Sequence, residues 1–256
     1  MSKRMAIAMM LAAALLLPLS ALAHFAVVQP SDDIVAAGDS KTIKVDLRFG
    51  HPFEQGLMNM VKPQQFGVLA GGEKQDLLSS LQLVKQGDFS TWSTEYQIGR
   101  PGDYVFYLEP TPYWEPAEGK LIIHYTKVVV QALGLEEGWD ELLGFPIEIR
   151  PLTRPYGLWT GNVFSGQVLL EGKPVPFAEV EVSYDNKDKI PSPDEVYCIQ
   201  VVIADQNGVF SYAMPRAGWW GFAALEDGPE QLLAPDGEKH PVEIGGLIWV
   251  NTVDFK

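Results

Sequence analysis

Residues 121–130 have the sequence LIIHYTKVVV, the longest run of β-branched and other apolar residues beyond the N-terminal segment. Shorter stretches on both sides alternate apolar and polar residues, as in TIKVDLRF at 42–49 and FAEVEVSY at 177–184, the period typical of half-buried strands. Turn sequences such as RPGD at 100–103 and DQNG at 205–208 separate them. We therefore predict an all-β fold built from two consecutive β-sandwich, immunoglobulin-like domains.

The boundary between the two predicted domains lies near residue 150. Residues 145–157, FPIEIRPLTRPYG, contain three prolines, which favours an extended connector. We expect a first sandwich over residues 24–150, a linker over 151–160 and a second sandwich over 161–256.

The first 23 residues have the features of a secretory signal peptide. Lys3 and Arg4 precede an apolar run that ends in the small-x-small sequence ALA at 21–23. An uncleaved membrane anchor is the alternative, but the run is shorter than the about 20 residues of a spanning helix. We expect cleavage after Ala23 and export to a bacterial periplasm, with no membrane insertion of the mature chain.

Charge and cysteine content exclude several classes of function. The 256 residues carry 33 acidic and 19 basic side chains, for a net charge of −14. This balance disfavours binding to nucleic acid or to an anionic membrane surface, and suits cations or a basic protein partner. The single cysteine, Cys198, excludes an intramolecular disulfide and a cysteine-rich metal site.

Histidines are the candidate metal ligands. The chain has four, and His24, His51 and His124 all lie in the predicted first sandwich. Cleavage would make His24 the N-terminus, whose α-amine and imidazole can chelate one ion. His51 lies at a strand end between Gly50 and Pro52, whereas His124 lies within a strand and has a core role as its alternative. If the three converge, four nitrogens would suit nickel, copper or zinc.

Secondary ligands and catalytic motifs are less well marked. Glu54 follows His51 closely, and Met58 and Met60 offer thioether sulfur, with core packing as the alternative for both methionines. His240 lies in a polar segment and is expected at the surface. The sequence contains no phosphate-binding loop, dinucleotide fingerprint, HExxH zinc motif or GxSxG elbow. Pairs of catalytic carboxylates are not recognisable from sequence, so a hydrolase stays open as an alternative to the binding protein that we expect.

Two resemblances extend this interpretation. Residues 161–225 resemble carboxypeptidase regulatory-like domains, through GKPVP at 172–176 and the DxxGxFxY hairpin at 205–212. The mature chain resembles exported bacterial proteins described as periplasmic components of cobalt/nickel uptake transporters (NikK-like). The segments that carry this second resemblance are HF (24–25), GHPFE (50–54), PGDYVFY (101–107), YWEP (113–116), IHYTK (123–127) and AGWWGF (217–222).

The second resemblance implies a metal-binding function without catalysis. A nickel or cobalt ion would be bound and passed to an inner-membrane nickel/cobalt transporter, with copper or zinc as alternative ions. One rival interpretation is a copper-binding protein or an oxidase with a histidine brace. Another is a carbohydrate-binding or adhesion module that uses Trp114, Trp219 and Trp220.

Overall fold

The computed structural model describes residues 24–255, so the predicted signal peptide at 1–23 lies outside the described residues. The described chain forms 22 strands and two short 3₁₀ helices, Leu78–Ser80 and Glu195–Tyr197, and no α-helix. The strands are β1 Phe25–Pro30, β2 Ile34–Val35, β3 Thr42–His51, β4 Gly56–Met58, β5 Gln65–Ala70, β6 Glu73–Asp76, β7 Gln82–Gln86, β8 Phe89–Gln97, β9 Gly102–Glu109, β10 Tyr113–Glu115, β11 Lys120–Ala132, β12 Ile147–Pro151, β13 Leu158–Trp159, β14 Val163–Leu170, β15 Lys173–Pro174, β16 Glu179–Tyr184, β17 Ile199–Ile203, β18 Val209–Ala213, β19 Gly218–Asp227, β20 Leu232–Leu233, β21 Lys239–His240 and β22 Val242–Val253.

The first sandwich packs a small sheet against one end of a large one. The small sheet has the order β1-β3-β8-β7, with β4 paired to β3, and the facing strands are β11-β9-β5-β6. Alternating apolar residues of both sheets meet between them, among them Val45, Leu47, Phe106 and Val128, all almost fully buried. This interior also receives the side chains of the candidate site.

The second sandwich uses the other end of the same large sheet. Strands β12, β14, β15 and β18 form its small sheet, which covers β22, β19, β16 and β17. Phe164 and Phe210 from one side pack with Phe222 and Ile248 from the other. The predicted all-β fold with two sandwiches is confirmed.

The two sandwiches share one continuous sheet of eleven strands. Strand β22 pairs in parallel with β11, from Leu121 opposite Val242 to Val128 opposite Trp249. On its other side β22 pairs antiparallel with β19. The last strand of the described chain therefore joins the two halves at the centre of the molecule.

The structure also shows where the second sandwich begins. Strand β12 pairs with residues 166–170 of β14 and so belongs to the small sheet of the second sandwich. Residues up to 150 are predicted to lie in the first domain. The alternating Ile147 and Ile149, both fully buried, hold β12 in the second core. The predicted linker at 151–160 contains β13, which pairs with the end of β22.

A buried ion pair ties β11 to β12 near this boundary. Lys127 Nζ lies 2.6 Å from Glu148 Oε1, and both side chains are almost fully buried. Glu148 also accepts hydrogen bonds from the backbone N–H groups of Leu143 and Gly144. Burial lowers the pKa of Lys127, and the neighbouring Glu148 carboxylate opposes that shift.

Candidate functional site

The register of the first strand pair places His24 directly across from His51. Phe25 pairs with Gly50 in the antiparallel ladder of β1 and β3. His24, which precedes Phe25, therefore lies opposite His51, which follows Gly50. Their ring centroids are 4.7 Å apart. Gly50 lets β4 pack closely beside this position, because it has φ = +154° and a Cβ there would clash with the Gly56 carbonyl oxygen.

Two carboxylates approach the imidazole of His24. Its Nε2 lies 3.1 Å from Glu115 Oε2, and its Nδ1 lies 3.9 Å from Glu118 Oε1. The ring also stacks on Phe49 at a centroid distance of 5.8 Å. Burial and the neighbouring His51 lower the pKa of His24, while the two glutamates oppose the shift, which favours the neutral imidazole that metal ions bind.

His124 lies deeper in the same interior and also contacts the Phe49 ring. Phe49 contacts it edge-on at a centroid distance of 6.0 Å. The His124 side chain is 1% exposed. Its Nε2 lies 3.4 Å from Glu243 Oε1, while its Nδ1 has no hydrogen-bond partner.

Glu243 and Lys120 form the polar edge of this region. Lys120 Nζ donates to Glu243 and lies 2.6 Å from Glu118 Oε2, so it links the glutamate beside His124 to one beside His24. Burial alone would raise the pKa of Glu243, but its interactions with His124 and Lys120 lower it to about 2. Glu243 is therefore a carboxylate at neutral pH.

The structure brings two of the three predicted histidine ligands into contact. His24 and His51 are neighbours, and the ring of Phe49 contacts both His24 and His124. Within residues 24–255, no group of three or more His, Cys, Asp or Glu side chains is arranged to hold a metal ion. The three histidines therefore form no ready-made metal centre in this part of the chain.

The predicted secondary ligands have other contacts in this structure. Glu54 interacts with the thiol of Cys198, a buried residue whose pKa is raised by burial and by that glutamate. Met58 packs against the first core and Met60 is part of it. The two methionines therefore make the contacts expected of core residues, which is the alternative to metal binding.

Three glutamates near the histidines carried no recognisable sequence pattern. Glu115 and Glu118 approach His24, and Glu243 approaches His124, from segments far along the chain. These pairs depend on how the strands pair and how the sheets pack. The local spacing of residues in the sequence does not indicate them. Glu115 does lie in the YWEP segment that carries part of the family resemblance.

The tryptophans do not form one exposed face. Trp220 is 6% exposed and packs in the second core. Trp219 and Trp114 are partly buried, against the first and second cores respectively. Trp114 also contacts the His240 ring at a centroid distance of 4.4 Å.

Fold and site together define a double β-sandwich protein with a paired-histidine centre at its first strand. The chain belongs to a family described as a domain of unknown function, DUF4198, which matches residues 21–228. No curated protein matches the chain. Strand β22, which completes the shared sheet, lies beyond the matched residues.

Solved structures offer distant similarity. A bacterial ice-binding adhesin is 10% identical with a TM-score of 0.25, over 92% of this chain and 66% of that one. The adhesin InvE of Yersinia pseudotuberculosis is 14% identical with a TM-score of 0.23, over 86% of this chain and 58% of that one. The I9–I11 tandem of titin is 9% identical with a TM-score of 0.21, over 90% of this chain and 66% of that one. The chain thus spans less than about two thirds of each of these chains, and such similarity assigns no function to it.

Within residues 24–255 there is no helix with the length and apolar character needed to cross a membrane.

Proposed function

We propose that this protein binds a divalent transition metal as cargo after export, and that His24 and His51 form the centre of the binding site. The main supporting observation is that the two imidazoles face each other at the ends of paired strands, with ring centroids 4.7 Å apart. Histidine imidazole is the commonest protein ligand for such ions.

Signal-peptide cleavage supplies the remaining donor. Removal of residues 1–23 would convert the backbone nitrogen of His24 from an amide into an amine, which can bind the same ion as its imidazole. Glu115 and Glu118 add negative charge beside this group. His124 is the third predicted ligand, and it contacts the same Phe49 ring that stacks on His24.

The identity of the ion and of its recipient rests on the family resemblance. Nitrogen donors alone suit copper or zinc as well, and the usual affinity order favours copper. The NikK-like resemblance supports nickel or cobalt, a periplasmic location and transfer to an inner-membrane transporter. Binding and release are sufficient for this role, so no catalytic step is proposed.

Two other functions are weighed against this one. A copper-binding protein or copper oxidase would use the same terminal histidine and would show peroxide-dependent oxidation. A carbohydrate-binding or adhesion role is less favoured, because Trp220 is buried and the other two tryptophans are partly covered.

Calorimetric titration with nickel, cobalt, copper and zinc tests the proposal. The mature chain starting at His24 is compared with a chain that carries one additional alanine before His24. We expect one equivalent to bind the mature chain and affinity to fall sharply on extension or on His51→Ala. The matched control is His240→Ala, because His240 pairs with Asp236 away from this centre.

Two results would overturn the proposal. Equal affinity of the extended and mature chains rejects the terminal chelate. Absence of binding by the mature chain rejects the metal-binding function itself.

A further inference from the structure

We propose that this protein forms a two-fold symmetric dimer in which strand β17 of one copy pairs antiparallel with β17 of a second copy. The pairing joins the eleven-stranded sheets of the two copies edge to edge. This inference does not rest on metal binding, because β17 lies at the end of the sheet and carries none of the predicted metal ligands.

The two ends of the eleven-stranded sheet are built differently. The sheet ends in β6 on one side and in β17 on the other. Strand β6 has the sequence EKQD with all four residues exposed, so charged side chains protect that edge against pairing. Strand β17 has the sequence IQVVI, with no charged residue and no proline. This second edge therefore lacks the features by which proteins usually prevent the addition of another strand.

The hydrogen bonds beside β17 show which backbone groups point away from the sheet. The N–H of Ala204 donates to the carbonyl of Ala178, in the same register as the ladder of β16 and β17. Since hydrogen-bonded positions alternate along an antiparallel ladder, Val201 and Ile203 direct their N–H and C=O groups away from β16. Within the described part of the chain, β17 pairs with no strand other than β16.

The side chains of these two residues belong to an apolar strip that consists of Ile199, Val201 and Ile203. Alternation places the three side chains on one face of the strand, and Val201 and Ile203 are 51% and 57% exposed. The strip is symmetric in sequence about Val201. In a two-fold antiparallel pair, Val201 lies opposite Val201 and Ile199 lies opposite Ile203. The strip is therefore complementary to itself, which favours a second copy over an unrelated strand.

Exposed apolar residues extend the contact beyond both ends of β17. Val196 and Tyr197 precede the strand and are 71% and 54% exposed. Phe177 is 67% exposed and lies past the other end, where its N–H donates to the carbonyl of Asp205. Pairing about the centre of β17 places Tyr197 of one copy opposite Asp205 of the second copy, beside its Phe177.

The area of this surface meets the lower limit for a specific interface. Together with the apolar strip, Phe177, Val196 and Tyr197 present roughly 400 Å² of apolar side-chain surface on each copy. With the backbone edge, two copies bury about 1,000 Å² in total, near the smallest area of specific protein interfaces. We therefore expect a weak dimer, formed at micromolar or higher concentration.

The negative charge of the protein opposes this contact only weakly. Glu181 lies opposite Val201 in the ladder of β16 and β17. In the dimer, three strand spacings of about 4.8 Å separate the Glu181 residues of the two copies, roughly 14 Å in all. This distance exceeds the Debye length of about 8 Å at physiological ionic strength, so the two carboxylates are largely screened from each other.

Sedimentation equilibrium of the mature chain, from about 1 to about 500 µM in EDTA, tests the dimer. EDTA removes metal ions that could bridge two copies. Val201→Lys places two ammonium groups at the symmetry axis and should weaken dimerisation at least about 10-fold. The matched control is Val61→Lys, which changes an exposed valine outside β17 in the same way and should dimerise like the wild type.

Cysteine cross-linking tests the register of the pairing in a Cys198→Ser background. Residues of a hydrogen-bonded antiparallel pair have Cα atoms about 5.5 Å apart, a distance that a disulfide can span. Mild oxidation should link the Val201→Cys variant into dimers at least about 10-fold faster than the Val61→Cys variant, because pairing raises the local concentration of the thiols.

Thermal melting verifies that each variant folds. A monomer throughout the concentration range, a dimer that folded Val201→Lys leaves unchanged, or equal rates of cross-linking for the two cysteine variants would overturn the proposal. A monomer that binds metal rejects only the dimer. A dimer that binds no metal rejects only the metal-binding function.

Discussion

His24 and His51 occupy opposed positions one step beyond the Phe25–Gly50 pair, with their ring centroids 4.7 Å apart. This relationship depends on the register of two strands rather than on any loop. Since a strand ladder positions both rings, the proposed metal site would gain preorganisation from the fold. The glutamates and aromatic residues around it lead to the following predictions.

Glu115→Gln should weaken metal binding by the mature chain about 10-fold, an effect typical of groups that orient or charge-balance a histidine ligand. Glu115 Oε2 lies 3.1 Å from His24 Nε2, and the amide removes its negative charge. Calorimetric titration measures the change. Glu95→Gln on β8, where the side chain is exposed, is the control, and equal affinities for both variants would contradict a role for Glu115.

Gly245→Ala should destabilise the fold by about 1–3 kcal/mol, as is typical when a packed core receives an additional methyl group. The new Cβ would lie 2.6 Å from His124 Cδ2 and 2.9 Å from Leu247 Cδ1. Urea unfolding measures the loss. Gly38→Ala is the matched control, because nothing lies within 4 Å of its Cβ position, and a comparable loss in both would show that crowding at His124 is not the cause.

Asp103→Asn should stabilise the protein at pH 7.5 and have little effect at pH 4. Burial raises the pKa of Asp103 from 3.8 to about 6, although the nearby Tyr156 hydroxyl opposes the shift. The folded state therefore binds the proton more tightly, and the associated stability is present below the unfolded pKa and lost as pH rises through about 6.

The expected gain at pH 7.5 is about 1–3 kcal/mol, from the usual conversion of a pKa difference into free energy. Chemical denaturation of wild type and Asp103→Asn across this pH range gives the difference. Asp88→Asn, at an exposed turn, is the control variant. A pH-independent difference for Asp103→Asn would show that its charge is not the cause.

Lys127→Met should cost about 3–5 kcal/mol, the usual effect of leaving a buried charge without its partner. Glu148 would retain only the backbone N–H donors of Leu143 and Gly144. Guanidinium unfolding of Lys127→Met, Glu148→Gln and the double variant gives the coupling energy. If the stability losses of the two single variants add up to the loss of the double variant, the ion pair makes no specific contribution.

The local alternation of residues predicted the strands well. TIKVDLRF at 42–49 lies within β3, and LIIHYTKVVV at 121–130 lies within β11. The pattern works because each strand has one face toward a sandwich interior. Two sandwiches were therefore predictable from strand number and from the proline-rich stretch near residue 150.

Register and long-range pairing were not predictable. Nothing in β11 indicates that its neighbour is β22, because a parallel partner and an antiparallel one require the same apolar faces. The Glu243–His124 pair follows from that pairing, whereas the Glu115–His24 pair joins one sheet to the other. The contacts of Phe49 with His24 and His124 likewise depend on the packing of one sheet over the other.

The parallel pairing of β11 with β22 also affects the order of events in folding. Residues such as His124 and Gly245 meet although they lie roughly 120 positions apart in the chain, and contacts of such separation slow folding. Until the C-terminal strand arrives, β11 has an unpaired edge along residues 121–128, the kind of edge that promotes aggregation. The His24–His51 pair needs only β1 and β3, whereas His124 acquires its carboxylate partner Glu243 only when this last strand has paired.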